Sequence, residues 1–555
     1  SGCLSINRHL ETRKNSRDYN QLYRDQRFHS CTLDSLPIVK YSSENLLRKC
    51  TNSAKRNWKD TRRSDQSLIS SLSMPTAAVI VVGDIGRSPR TANHALSLAE
   101  EKDYDVCLIG YSESALNERI VNHPKISVIP LLSPPSLPSF VPQLLCLLWR
   151  FGWTFITLFI TLLFRIGWSV NIILVQNPPA LPALIVAWMI SRVRNARFVI
   201  DWHNYTWSML GERWRIREEE LGLVMNEDSN EVKKEKEERR VKGGKATYIR
   251  LTHYLEGSLG RSSDSSLCVS SAMADDLRKR WNITARVFYD RPPNWKFGTV
   301  SLSTKHSLFR SLGEKSVKEG NEEIANMLMG GGGEDNQDTF FSRENKSGDV
   351  SLREDRPLIV ISSTSWTPDE DFSILLDAVA KYDERVKIEK NKLPHLFLII
   401  TGKGPEKAYY MDKINQLDLS HVSFYSPWLE AADYPTAVAT ADIGVCLHTS
   451  TSGVDLPMKV VDMFGCGVPV LAKRFPAIGE LVKEKENGYL FDTHDDLVDL
   501  LVKMARGHPE ENKELHKLQA HVKSSKGRLR SWEETWGEAT KEAFRDEKNK
   551  EKRLE

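Results

Sequence analysis

The feature that most constrains this chain is a repeated unit: a short uninterrupted apolar run, a turn rich in glycine, and then apolar residues at helical spacing. Ala77-Ala78-Val79-Ile80-Val81-Val82 runs into Gly83-Asp84-Ile85-Gly86-Arg87-Ser88-Pro89-Arg90, followed by His94-Ala95-Leu96-Ser97-Leu98-Ala99. Such runs suit strands covered on both faces, and their alternation with helices requires a parallel α/β sheet. Further strands are predicted at 106–110, 126–130, 170–176 and 198–200, with a helix at 183–190. A second series begins at 358–364 and continues at 396–400, 422–425, 443–447 and 468–472. Two series of this kind predict two α/β lobes whose strand-end turns face a cleft.

The intervening segments are read from their charge. Residues 1–74 carry 14 Lys and Arg against 7 Asp and Glu, whereas the whole chain of 555 residues nets only +3. This head is predicted to be a basic, disordered extension, and no apolar signal segment stands out in it. The first lobe is predicted over 75–300, with a charged, solvated insertion at 212–246. Residues 301–356 read as a disordered linker, 357–505 as the second lobe, and 506–555 as a helical tail holding Trp532 and Trp536. The charge balance argues against a polybasic nucleic-acid binder, and a mean hydropathy of −0.41 argues against a polytopic membrane protein. Eight cysteines without a CxxC pair suggest reduced thiols in a cytosol-facing compartment rather than a disulfide framework.

One segment is membrane-seeking. Residues 141–164 hold a single charge, Arg150, and the uninterrupted part, 151–164, is 14 residues long. A spanning helix needs about 20. Trp149, Trp153, Arg165 and Trp168 flank it in the manner of an interface, so a helix half-inserted in the bilayer face is favoured over a full span or a core helix.

The turns also suggest chemistry. Glycine-rich strand-to-helix turns expose backbone N–H groups and the positive end of a helix to an anion. Thr401-Gly402-Lys403-Gly404-Pro405 adds a lysine, and Ser450–Lys459 combines small residues with Lys459. Small residues allow a diphosphate to approach the backbone, which Lys403 and Lys459 can neutralise. Asp462, one helical turn beyond Lys459, suits ribose hydroxyls, although an (i, i+3) surface pair explains the same spacing. Asp103-Tyr104-Asp105 and Asp369-Glu370-Asp371 fit a DxD pattern. The first begins a strand, and the second reads as the start of a helix with Thr367 as N-cap, Pro368 at N1 and Glu370 closing a capping box. Neither is taken as a metal site.

As a set, GDIGRSPR (83–90), QNPPALP (176–182), VIDWHNY (199–205), SSTSWTPDEDFSILLDA (362–378), ITGKGPEK (400–407), PWLEAADYP (427–435) and CLHTSTSGVDLPMKVVDMFGCGVPV (446–470) resemble the chitobiosyldiphosphodolichol beta-mannosyltransferases. The resemblance covers essentially 75–500, apart from the charged insertions. It implies a two-lobed GT-B fold, GDP-mannose as donor and dolichyl-diphosphate-chitobiose as acceptor. It also implies the cytosolic face of the endoplasmic reticulum membrane, with other dolichol-pathway mannosyltransferases as possible partners. Family members usually carry a membrane-anchoring apolar helix before the first strand, where this chain has its basic head.

The implied reaction inverts the anomeric carbon, so it needs a general base for the acceptor hydroxyl and positive charge for the departing diphosphate. Asp84, His203 and Asp201, all at strand ends of the first lobe, are the candidate bases. Thr364, Gly402, Lys403, Ser452, Gly453, Leu456, Lys459, Val460 and Asp462 form the expected donor set. Arg87, Arg90, Asn177, Asn204 and Glu256 are the expected acceptor set. No motif binds a cofactor, and Mg²⁺ is expected at most to stimulate. A retaining transferase of the same fold and an inactive scaffold for other transferases are the rival readings.

Overall fold

The first strand, β1 (Thr76–Asp84), is apolar from Ala77 to Val82 because both faces of its middle are covered; Ala77 to Ile80 have no exposure. The computed structural model describes residues 74–138, 140–223, 241–330, 337–389 and 392–544. Around β1 the first lobe forms a seven-stranded parallel sheet with β2 (Asp105–Tyr111), β3 (Ile126–Pro130), β4 (Val170–Asn177), β5 (Arg197–Trp202), β6 (Ser265–Cys268) and β7 (Arg286–Val287), in the order β3-β2-β1-β4-β5-β6-β7. The order reverses between β1 and β4. Crevices for ligands form at such a point, beyond the carboxyl ends of the strands.

Helices cover both faces of this sheet: α1 (Pro89–Glu101), α2 (Gln143–Ile160), α3 (Ala183–Arg194), α4 (Thr206–Trp214), α5 (Gly244–Arg261) and α6 (Ser271–Trp281). The predicted apolar segment is α2, extended by a wider turn over Thr161–Arg165. Leu158 and Leu162 are buried in the first lobe's core, and the Trp149 and Trp153 indoles donate to the carbonyls of Pro135 and Leu132. Leu145, Leu148, Ile156, Ile160 and Phe164 remain exposed along the other side. The helix is long and apolar enough to cross a membrane, yet it lies docked along one flank of the lobe.

The predicted disordered linker at 301–356 is ordered wherever it is described. It forms α7 (Leu302–Lys318), α8 (Glu322–Leu328) and the hairpin β8 (Ser342–Glu344) and β9 (Val350–Leu352). Phe309, Leu328 and Phe341 are buried, and Phe340 stacks on Phe397 with ring centroids 4.0 Å apart. The abundant charges lie outside this apolar stripe, which joins the second lobe's core. The prediction for 1–74 falls outside the described residues except for Met74, as do 224–240 of the charged insertion, Gly331–Gly333 and the last eleven residues of the tail.

The second lobe repeats the first lobe's plan. Strands β10 (Leu358–Ser363), β11 (Leu396–Thr401), β12 (Val422–Tyr425), β13 (Ile443–Cys446), β14 (Val470–Lys473) and β15 (Gly488–Phe491) run parallel in the order β12-β11-β10-β13-β14-β15. Its helices are α9 (Ser373–Ile388), α10 (Lys407–Asn415), α11 (Tyr434–Thr440), α12 (Met458–Gly465), α13 (His494–Ala505) and α14 (Lys513–Lys523). A last helix, α15 (Trp532–Thr540), returns to the first lobe, where Trp532 and Trp536 are buried against α1. The predicted tail is therefore divided: α14 packs into the second lobe's core, and α15 with the residues after it into the first's.

Candidate active site

A cavity of about 880 Å³ opens between the carboxyl ends of the two sheets. The first lobe contributes residues just past β4 and β5, among them Pro178, His203 and Asn204. The second contributes residues past β10 and β13, among them Asp369, His448, Asp455 and Lys459. Asn204 ties the two walls together, its amide donating to Thr451 Oγ1 (3.1 Å) and Asp455 Oδ2 (3.3 Å). Glu480 also crosses, accepting the Ser271 and Ala272 backbone N–H groups at the start of α6, each at 2.7 Å.

On the first wall, β5 delivers Asp201 and His203 side by side. His203 Nε2 lies 2.9 Å from Asp201 Oδ2. Arg90 grips the same carboxylate with Nε and Nη2, at 2.8 and 2.9 Å, and turns Nη1 to Asp290 at 2.9 Å. Burial would favour protonation of Asp201, but Arg90 and His203 hold its carboxyl well below the usual range. An ionised carboxylate only accepts, so His203 Nε2 carries a proton, and in the neutral imidazole Nδ1 keeps its lone pair. No described residue hydrogen-bonds Nδ1.

This geometry separates the three candidate bases. Asp201 is 2% exposed and committed to its cation partners. Asp84 does not line the cavity; its Oδ1 accepts the backbone N–H groups of Gly86, Glu113 and Ser114 at 3.2–3.3 Å. Those bonds outweigh desolvation and lower its pKa, as expected of a capping carboxylate. His203 is the one of the three that both lines the cavity and has a free basic atom.

The expected acceptor contacts divide in the same way. Arg90 is fully buried and cannot meet a diphosphate; it builds the Asp201 network instead. Arg87 is a surface cation beside Ser114 and Asp84. Asn177 and Glu256 are completely buried. Glu256 caps α4 by accepting the Thr206 and Trp207 N–H groups at 2.8 and 3.2 Å, and the Asn177 amide bridges from it (3.0 Å) to the Asn204 carbonyl (3.1 Å). Burial pushes the Glu256 carboxyl up to about 7 despite these donors. The pair shapes the turn that carries His203 and Asn204, and of the five only Asn204 lines the cavity.

The second wall is held by internal charge pairs. Lys459, near the start of α12, is ion-paired with Glu370, which also receives Thr364 Oγ1 and the Ser365 N–H. The expected capping box is therefore absent. The helix begins only at Ser373, whose N–H is bonded by Asp371 at 3.1 Å, because Glu370 finds a cation across the loop. Thr364 is buried in this arrangement. Gly402 (φ +122°) and Gly404 have a packing reason for lacking a side chain, since a Cβ on either would collide with the carbonyl oxygen of Thr364 or Ser365. Lys403 sits over the Trp428 ring, 3.3 Å from its centroid, outside the cavity. Leu456 lines the cavity, whereas Ser452 and Gly453 flank it on the same loop.

Val460 is fully buried in the second lobe's core and contacts no ligand space. Asp462 does not share the Lys459 wall; its Oδ2 accepts from Tyr434 at 3.3 Å, and burial pushes its carboxyl up to about 7.

Sequence reasoning missed a histidine between two acids. His448 Nδ1 is 3.2 Å from Asp369 Oδ2, and Nε2 is 3.7 Å from Asp455 Oδ2. Burial works against the cation, but the two carboxylates prevail and raise its pKa to about 9. Asp369, Glu370 and His448 also offer ligand atoms within 4.8 Å of one another. As they stand, Lys459 and the His448 cation satisfy the two acids, so the cluster behaves as paired charges. Because the folded pKa exceeds the usual 6.5, this pairing stabilises fully below about pH 6.5 and is lost as pH rises through about 9. The Tm gap between wild type and His448→Asn should therefore narrow across that window; a constant gap would refute the pairing.

Two parallel sheets meeting across a cleft with lysine and histidinium on one wall define a two-lobed glycosyltransferase of the GT-B class. Residues 343–519 match the family model "Glycosyl transferases group 1". Chitobiosyldiphosphodolichol beta-mannosyltransferase of Homo sapiens is 35% identical over 82% of this chain and 90% of its own length, and the chain belongs to that beta-mannosyltransferase family. An Arabidopsis thaliana relative named UDP-glycosyltransferase TURAN is 38% identical over 84% of this chain and 96% of its own. Sucrose-phosphate synthase from Thermosynechococcus elongatus shares the fold, with a TM-score of 0.52 at 13% identity over 85% of this chain and 99% of that one.

Proposed function

We propose that this chain moves mannose from GDP-mannose to the 4-hydroxyl of the outer GlcNAc of dolichyl-diphosphate-chitobiose, inverting the anomeric carbon. His203 Nδ1 takes the acceptor hydroxyl proton as that oxygen bonds to the anomeric carbon. The bond to the diphosphate breaks, and GDP leaves toward Lys459 and the His448 cation. The observation that carries this reading is the Asp201-backed imidazole on one wall, facing a wall where Lys459 and His448 stand among their acidic partners. The relatives' names support the acceptor and the beta linkage. Mg²⁺, if it binds with the donor, would supply further positive charge to the departing diphosphate.

The test is a reaction of the chain with GDP-mannose and a lipid-diphosphate-chitobiose acceptor, followed by digestion of the trisaccharide with anomer-specific mannosidases. A beta-mannoside supports the reading, and an alpha product would mark a retaining enzyme. UDP-sugars are run in parallel because of the Arabidopsis thaliana relative's name; preferential use of one would overturn the donor assignment. The exposed apolar flank of α2 supports attachment to a membrane surface, which we propose is the cytosolic face of the endoplasmic reticulum. Phe164→Glu should weaken flotation of the protein with phospholipid vesicles, and undiminished flotation would count against that role for α2.

A further inference from the structure

Beneath His203 a second histidine faces the same carboxylate. His94, buried on α1, places Nε2 3.3 Å from Asp201 Oδ2, the oxygen that also meets His203. Its other nitrogen, Nδ1, accepts the indole N–H of Trp536 on α15 at 2.9 Å. An indole N–H only donates, so Nδ1 must hold a lone pair, and the single proton of the neutral ring sits on Nε2, a close polar contact of Asp201 Oδ2 that is not aligned as a hydrogen bond. Burial lowers the pKa of His94, which keeps the ring neutral. Trp532 and Phe544 pack edge-on against it, at centroid distances of 5.0 and 6.2 Å.

We propose that Trp536 and His94 are positioning residues for the cleft imidazole: the indole fixes the His94 tautomer, His94 anchors Asp201 Oδ2, and Asp201 orients His203. This rests on His203 being the base. No proton travels along the chain, since Asp201 stays ionised against Arg90. Without the indole, His94 can adopt the other tautomer and turn a lone pair toward the carboxylate. Arg90 still holds Asp201, but Oδ2 then meets a lone pair instead of an N–H on the side away from His203, which shifts the oxygen that orients the imidazole. The helix that closes the fold thus reaches the chemistry through one hydrogen bond, Trp536 to His94, and one close polar contact, His94 to Asp201.

The charged neighbours of this chain are known. Asp201, Arg90, His94 and Asp290 surround His203 from its own lobe, and α4 with its following turn adds Glu212, Arg213 and Arg215 to the cavity wall. Asp369, His448, Asp455 and Lys459 face it from the other lobe. Trp536 carries no charge, so its replacement leaves all of these in place.

The test compares Trp536→Phe with Trp532→Phe in the full chain. Each removes one buried indole N–H from the same helix, and Trp532 donates only to Ser97 Oγ, at 3.0 Å. Trp536→Phe is expected to lower kcat by about tenfold to a hundredfold, with little change in donor KM and a displaced pH profile of kcat/KM. Trp532→Phe should leave that profile alone. Equal effects of the two variants, or an unmoved profile in Trp536→Phe, would overturn the proposal.

Should Trp536→Phe fail to fold, His94 decides. His94→Gln offers an amide oxygen to the indole and an NH₂ to Asp201, and should keep most turnover, whereas His94→Leu should not. Equal losses in both would refute the positioning role. Full turnover in His203→Gln would instead strike at the base itself, and the positioning role falls with it.

Discussion

His203→Gln is expected to lower turnover by about 10²–10⁴-fold, the usual contribution of a positioned general base. Donor affinity should remain close to that of the wild type. The imidazole offers the cleft a basic nitrogen whose partner nitrogen is fixed by Asp201 at 2.9 Å. Glutamine keeps much of the volume but has no basic atom. Asp84→Asn is the contrasting variant. Its carboxylate serves three backbone N–H groups away from the cavity, so most turnover should survive. If Asp84→Asn is dead and His203→Gln active, the two roles have been reversed. Single-turnover rates and equilibrium donor binding, measured separately, distinguish these outcomes.

Arg90→Met should destabilise the protein by about 3–5 kcal/mol, the cost of leaving buried charges without their partner. Arg90 is 1% exposed and its guanidinium holds Asp201 and Asp290 together, at 2.8–2.9 Å. Methionine fills the space of the side-chain stem but strands two carboxylates. Asp201 keeps His203, whereas Asp290 loses its ion pair. Unfolding followed by urea or by proteolysis reports the loss. A change under about 1 kcal/mol would place this cluster with weakly coupled surface pairs.

Much of the fold was legible in the sequence, for a simple physical reason. Strands of a parallel sheet covered on both faces must be apolar end to end, and 77–82, 358–361 and 396–400 carry that signature directly. What stayed hidden depended on partners distant in the chain. Arg90 reads as an acceptor contact because the acids that actually hold it lie 111 and 200 residues away. Glu370 has the spacing of a capping box, yet a lysine 89 residues on takes it instead. His448 stands between Asp369 and Asp455 with no local pattern to mark it. Leu308, Phe309 and Leu312 of α7 were obscured by the surrounding charge, although they lie at helical spacing. His203 was legible as a candidate because it directly follows a strand; its rank over Asp84 needed the hydrogen bonds.

The return of α15 to the first lobe bears on how the protein is made. Trp532, Trp536, Ala543 and Phe544 sit in the same apolar cluster as Val79, Leu96 and Leu98, so the first lobe's sheet, which leaves the ribosome before the second's, lacks part of its interior until α15 has also been made. The second lobe has no such debt and can settle as it emerges. A chain that stops short of Trp532 would thus have a finished second lobe beside an unfinished first, with exposed apolar surface for chaperones to hold.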